Sequence, residues 1–262
     1  MTSVRTPAVA GLFYPEAAAV LHDTVTTLLA EAADHGGPRP RALIVPHAGY
    51  VYSGRAAAAA YHHLARFRDR VGRVLLAGPP HRVAVRGAAT VSCDYFRTPL
   101  GDVAIDTVAA RELVASGAVE YADAAHVPEH SLEVQLPFLQ TVLGEFTLLP
   151  LLVGDLPPAA VAALLAPWWD AEDALVVVST DLSHFLDYDT ARTVDGDTDA
   201  AIRAFDPSRI DPTRACGCRA LNGLLHLAAA RAAGIERLAL CNSGDTAGSR
   251  DRVVGYAAYA LA

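Results

Sequence analysis

Six short apolar runs, each closed by a turn or a polar residue, constrain this chain more than any other feature. They are RALIVP (41–46), RVLLAG (73–78), FTLLPLLVG (146–154), ALVVVS (174–179), RLALC (237–241) and VVGYAAYAL (253–261). Continuous apolar runs of this length suit strands buried on both faces, because a half-exposed strand would alternate. Between them lie segments of helical period. In 16–33, Leu21, Val25, Leu28, Leu29 and Ala32 share one face. In 214–233, Leu221, Leu224, Leu225 and Ala228 do the same, with Asp211-Pro212 before the segment and Gly234 after it. Strands alternating with helices predict one three-layer α/β/α domain over residues 1–262, with a mainly parallel or mixed central sheet. The stretches 34–40, 93–102 and 206–213, rich in Gly, Pro and Asp, read as loops.

The chemistry gathers just past the strands. RALIVP runs into His47, RVLLAG into Pro79-Pro80 and His81, ALVVVS into Asp181 and His184, and RLAL into Cys241. The C-terminal ends of parallel strands share one edge of the sheet, and ligands bind in the crevice outside it. This placement predicts that His47, His81, Asp181, His184 and Cys241 converge. Two imidazoles and a thiolate suit a first-row transition metal and leave positions open for other ligands. His184 beside Asp181 suits a general acid/base oriented by a carboxylate. Each residue also has a plainer reading: His47 as a turn histidine, Asp181 as a cap, Cys241 as a small buried apolar group.

Composition narrows the classes. The chain has 262 residues, 52% of them hydrophobic, enough for a sizeable core. Its net charge is −8, every basic residue is an arginine, and no basic stripe stands out. Nucleic acid is therefore not the expected partner. The start MTSVRTPAVAG lacks the apolar centre of a signal peptide, and no run is long enough to span a bilayer. Four cysteines without framework spacing fit a reducing compartment. The expectation is a cytoplasmic chain with no membrane partner.

Taken together, AGLFYP (10–15), VPHAGYVYSG (45–54), GPPH (78–81), EHSLEVQLPFLQ (129–140), LLVGD (151–155), STDLSHF (179–185), ACG (215–217) and NSGD (242–245) resemble the Memo family, component B of the AmmeMemoRadiSam system. The resemblance implies a fold like that of class III extradiol ring-cleaving dioxygenases, which use mononuclear non-heme iron(II). It implies a pocket of two histidines and a cysteine, here His47, His81 and Cys241, with Asp181 and His184 nearby. Iron(II) is the implied metal, with copper or zinc in competition because thiolate is a softer ligand than carboxylate. Phe13 stands where many relatives have Trp.

The resulting expectation is a dioxygenase acting on a small aromatic, phenol-like substrate with dioxygen. Its catalytic pair is His184 and Asp181, and Tyr50, Phe13, His130 and Glu133 face the substrate. Tyr50 and its neighbour Tyr52 either close the pocket or pack beneath it. Two rivals remain: a copper- or iron-binding or protein-interaction module without turnover, and a hydrolase or transferase with Cys241 as nucleophile. HVPEH (126–130) fits the H-x-x-E-H pattern of zinc proteases, but Pro128 sits poorly inside the helix that chemistry needs. Cys216 and Cys218 read as two sides of a helix, and His62 and His63 as solvated residues of a surface helix.

Overall fold

The apolar runs become the centre of a twelve-stranded mixed sheet in the computed structural model, which describes residues 2–262. The strands are β1 (Val4–Arg5), β2 (Ala42–Val45), β3 (Arg73–Gly78), β4 (Ala88–Thr90), β5 (Tyr95–Thr98), β6 (Gly101–Ile105), β7 (Glu120–Tyr121), β8 (Thr147–Val153), β9 (Ala174–Ser179), β10 (His184–Leu186), β11 (Ile235–Asn242) and β12 (Val253–Leu261). The α-helices are α1 (Ala18–Glu31), α2 (Tyr50–Ala65), α3 (Thr107–Ala115), α4 (Asp123–His126), α5 (Leu136–Leu143), α6 (Pro158–Asp170), α7 (Tyr188–Arg203) and α8 (Cys218–Ala230). The main path runs β1-β5-β6-β8-β3-β9-β2-β12-β10, with β11 also on β12, and β4 and β7 beside β8. From β6 through β8, β3 and β9 to β2 all pairs are parallel. β12 is antiparallel to β2, β10 and β11.

Helices cover both faces, which is why the central strands are apolar throughout. Leu43 and Val45 of β2, Leu76 of β3 and Val177 of β9 join one core with Leu21 and Val25 of α1, Tyr61 of α2 and Phe138 of α5. Their sequence neighbours Ile44, Leu75, Val176 and Val178 point the other way, to Val161 and Leu165 of α6 and Leu221 and Leu224 of α8. Each such side chain stabilises the fold by roughly 1.5–3 kcal/mol on burial. The result is the three-layer α/β/α domain expected from the alternation.

Two local expectations are corrected. Residues 93–102 are largely a hairpin, β5 to β6, rather than a loop: Phe96 and Thr98 face inward from β5, and Gly101 supplies the turn at φ 125°. His63 is not solvated. It is buried on α2 and bonds the carbonyl of Pro38, while His62 bonds the carbonyl of Leu29. Among the described residues, no helix is long and apolar enough to cross a membrane.

Candidate metal centre and adjoining pocket

The parallel register Val45↔Ser179 and Ala77↔Val178 brings the ends of β2, β9 and β3 to one edge. His47 and His81 meet there with ring centroids 5.1 Å apart. The hydrogen bonds fix their tautomers. The Ser179 hydroxyl donates to the carbonyl of Ser131 at 2.6 Å, so it can only accept from His47 Nδ1 at 2.9 Å. His47 Nε2 then carries the ring's lone pair. His81 Nδ1 donates to the Glu129 carboxylate at 2.9 Å, which leaves its Nε2 free in the same way. An imidazole whose far nitrogen is held by a carboxylate or hydroxyl is the usual setting of a metal-binding histidine.

The sulfur that completes the cluster belongs to Cys216. Its Sγ lies 3.3 Å from His47 Nε2, and one ligand atom each of His47, His81 and Cys216 lie within 4.8 Å of one another. Cys216 precedes α8 and is not a helical residue. It is tied to the end of β9 by its own N–H to the Asp181 carbonyl, by the Asp181 N–H to its sulfur, and by the Gly217 N–H to Thr180 Oγ1. The glycine of the ACG motif permits this approach, since a Cβ at 217 would come 2.7 Å from the Ser179 oxygen. Burial and the Asp181 carboxylate push the Cys216 thiol up to about 12.

Cys241, the cysteine expected from the sequence, is not brought to the histidines. It lies on β11 opposite Tyr256 of β12, and β12 separates β11 from β2. Two strand spacings amount to about 10 Å. Tyr256, rather than Cys241, reaches the pocket. Burial, with Asp245 and Asp195 nearby, raises the Cys241 thiol to about 11.

A pocket of about 460 Å³ adjoins the cluster, lined among others by Phe13, Tyr52, His130, Asp181, His184, Arg252 and Tyr256. Asp181 and His184 both line it but do not pair. Asp181 accepts the backbone N–H groups of His47 and Ala48, and His184 Nδ1 donates to the Leu182 carbonyl. Burial lifts Asp181 to about 7 against those two amides. His130 stacks on His81 and meets the Phe13 ring at 4.8 Å. Its Nδ1 lies 3.3 Å from Glu129 without hydrogen-bond alignment and has no partner among the described residues.

Two expected substrate contacts are structural instead. Tyr50 is buried, donates its hydroxyl to the Val134 carbonyl and packs on Phe138, while Tyr52 takes the place at the pocket wall. Glu133 is fully buried and accepts from Arg5, Ala8 N, Val9 N and Tyr14. The carboxylate that serves the site is Glu129, which the sequence reading passed over. It accepts from His81 Nδ1 and from the backbone N–H groups of His81, His130 and Ser131. Burial opposes its charge, yet these bonds hold it down to about 2. His126 of the HVPEH stretch bonds the Ala89 carbonyl and takes no part in a zinc-protease arrangement.

Fold and geometry together define an α/β protein with a candidate three-ligand metal centre at the C-terminal edge of its parallel strands. The chain belongs to the Memo-like protein family, whose profile matches residues 5–260. It is similar to MEMO1 family proteins of Aquifex aeolicus (32% identical over 264 residues, 97% of each chain) and Ignicoccus hospitalis (35% over 282 residues, 97% of each). Among solved structures it is similar in fold to uncharacterized protein JW3007 from Escherichia coli K12, with a TM-score of 0.52 at 15% identity. That likeness covers 83% of this chain and 99% of the other.

Proposed function

We propose that this chain is a mononuclear non-heme metalloenzyme in which His47, His81 and Cys216 hold the metal. Iron(II) comes first, with copper and zinc as competitors. The adjoining pocket takes a small aromatic, phenol-like substrate together with dioxygen. One observation carries the reading: both histidines have their Nδ1 protons committed, to Ser179 and Glu129, and the remaining nitrogens converge with a thiol. That donor set suits a first-row ion and leaves positions open. Bound there, the ion supplies a Lewis-acidic, redox-active centre for a phenolic oxygen and dioxygen.

The chain's own residues do the rest. Phe13 and Tyr256 supply aromatic surface to the pocket that takes the ring. His184, with Nδ1 bonded to the Leu182 carbonyl, offers Nε2 to accept the phenolic proton. Asp181 fixes the backbone at His47 and Ala48 and so the placement of the first ligand. Glu129 orients His81.

Anaerobic competition titration with iron(II) tests the ligand set. Cys216→Ser is expected to weaken affinity at least about tenfold, the lower bound for disturbing even the groups behind a ligand, with Cys241→Ser unchanged. The opposite pattern would overturn the assignment. Oxygen uptake with a panel of catechols and hydroxyindoles tests turnover; tight metal binding without any uptake would leave a metal-binding protein in place of an oxygenase.

A second reading rests on the 3.3 Å Cys216–His47 contact, which also suits a thiol nucleophile with its base. Iodoacetamide alkylation of Cys216 that is equally fast with and without metal favours this reading. Protection by metal favours ligation.

A further inference from the structure

We propose that Arg252 makes the pocket selective for aromatic ligands that carry a carboxylate, an inference that rests on the aromatic-substrate reading given above. Arg252 lines the pocket just before β12. Among the described residues no other arginine lines that pocket. Among the described residues no carboxylate lies within 4.0 Å of it and no hydrogen bond holds it. An exposed cation without a partner, in a chain of net charge −8, keeps its full capacity for an incoming anion.

The guanidinium is nevertheless held in place. It lies over the Phe185 ring at 5.0 Å. Phe185 itself is an exposed residue at φ 61°, a left-handed conformation that non-glycine residues adopt at a cost of roughly 1–2 kcal/mol. The cause is a register shift between β10 and β12: His184 pairs with Val254 and Leu186 with Val253, and Phe185 is left over. The bulge sends His184 to the pocket and Phe185 to the rim, where its ring supports Arg252.

Charge then sets the orientation. Arg252 attracts a carboxylate to its own part of the lining. A ring carrying a phenol and an acidic tail enters with the phenol toward His184 and the metal ligands, and the tail toward Arg252.

The test uses two probes that differ only in the tail: dihydrocaffeate, a catechol with a propionate, and its primary amide. Both are titrated calorimetrically and anaerobically into the full chain with stoichiometric zinc(II), which has no redox chemistry. The wild type is expected to bind the acid at least about tenfold more tightly than the amide, as one charge-assisted contact gives. Arg252→Gln is expected to abolish that preference and Arg252→Lys to keep part of it. Equal binding of acid and amide by the wild type, a preference that survives in Arg252→Gln, or no binding of either probe overturns the proposal. Iron(II) affinity is measured on the same proteins as a separate readout. Intact iron affinity without an acid preference removes only the Arg252 role. An acid preference without iron binding leaves that role standing and removes the metal reading.

Discussion

Replacing Glu133 by Gln should destabilise the fold by about 3–5 kcal/mol, the range for breaking a buried ion pair from one side. Glu133 is fully buried and its two oxygens serve four donors: Arg5 and the Ala8 N–H at one, the Val9 N–H and the Tyr14 hydroxyl at the other. A glutamine keeps one oxygen. Its least costly placement leaves that oxygen with Arg5 and Ala8 and turns the NH₂ toward Val9 and Tyr14. The tyrosine can rotate its hydroxyl to accept, but the Val9 N–H has no lone pair and loses its partner. An unpaired buried N–H costs about 1–3 kcal/mol. The remainder comes from Arg5, whose buried charge then faces only a neutral amide. Arg5 also donates to the carbonyls of His126, Val127 and Glu129, so the defect reaches the segment that carries the His81 partner. Urea unfolding gives the loss from the midpoint at unchanged m. In a cycle with Arg5→Met, the double variant should lose less than the sum of the singles by at least about 1 kcal/mol, because the two residues share one interaction. A loss below about 1 kcal/mol for Glu133→Gln, with strict additivity, would refute the reasoning.

Three further outcomes follow from other contacts. Glu129→Gln should weaken metal binding about 10–100-fold, the usual effect of altering the group behind a histidine ligand, and competition titration reads it directly. Gly217→Ala should cost about 1–3 kcal/mol, because the new methyl meets the Ser179 oxygen at 2.7 Å and the end of β9 must shift; a thermal midpoint equal to wild type contradicts this. His126 is buried and held near 4, chiefly by burial, while an unfolded histidine titrates near 6.5. The unfolded chain therefore takes up that proton first as pH falls, and stability is lost between about 6.5 and 4, by roughly 3 kcal/mol in all. His126→Gln should flatten that part of the stability–pH curve, and an unchanged slope argues against the assignment.

How much was legible in the sequence depends on how local each cause is. The central strands announce themselves because both faces are buried: Leu43 and Ile44 point to opposite cores, so no alternation appears. His47, His81 and Asp181 were legible for a related reason. Parallel neighbours end at one edge, and residues two or three past those ends are brought together whatever the loops do. Phe13 and His130 also line the pocket, though no periodicity says why. The hairpin at 93–102 was hidden because its strands are short, with exposed Arg97 between the inward residues Phe96 and Thr98 and Pro99 in the turn.

What only the tertiary structure decided is which of several similar residues does each job. Strand-end position says that a residue lies on the edge, but not how far along it. Cys241 ends a strand, yet β12 lies between it and β2. Cys216 ends no strand and arrives through a loop that Gly217 lets press against β9. Glu129 and Glu133 differ by one helical turn in sequence: the first orients His81, and the second neutralises Arg5 beneath the surface. Tyr50 and Tyr52 divide in the same way between core and pocket. Sequence periodicity determines which face an element buries. The strand order and the hydrogen bonds that only the folded chain can close determine which sulfur and which carboxylate meet the two histidines.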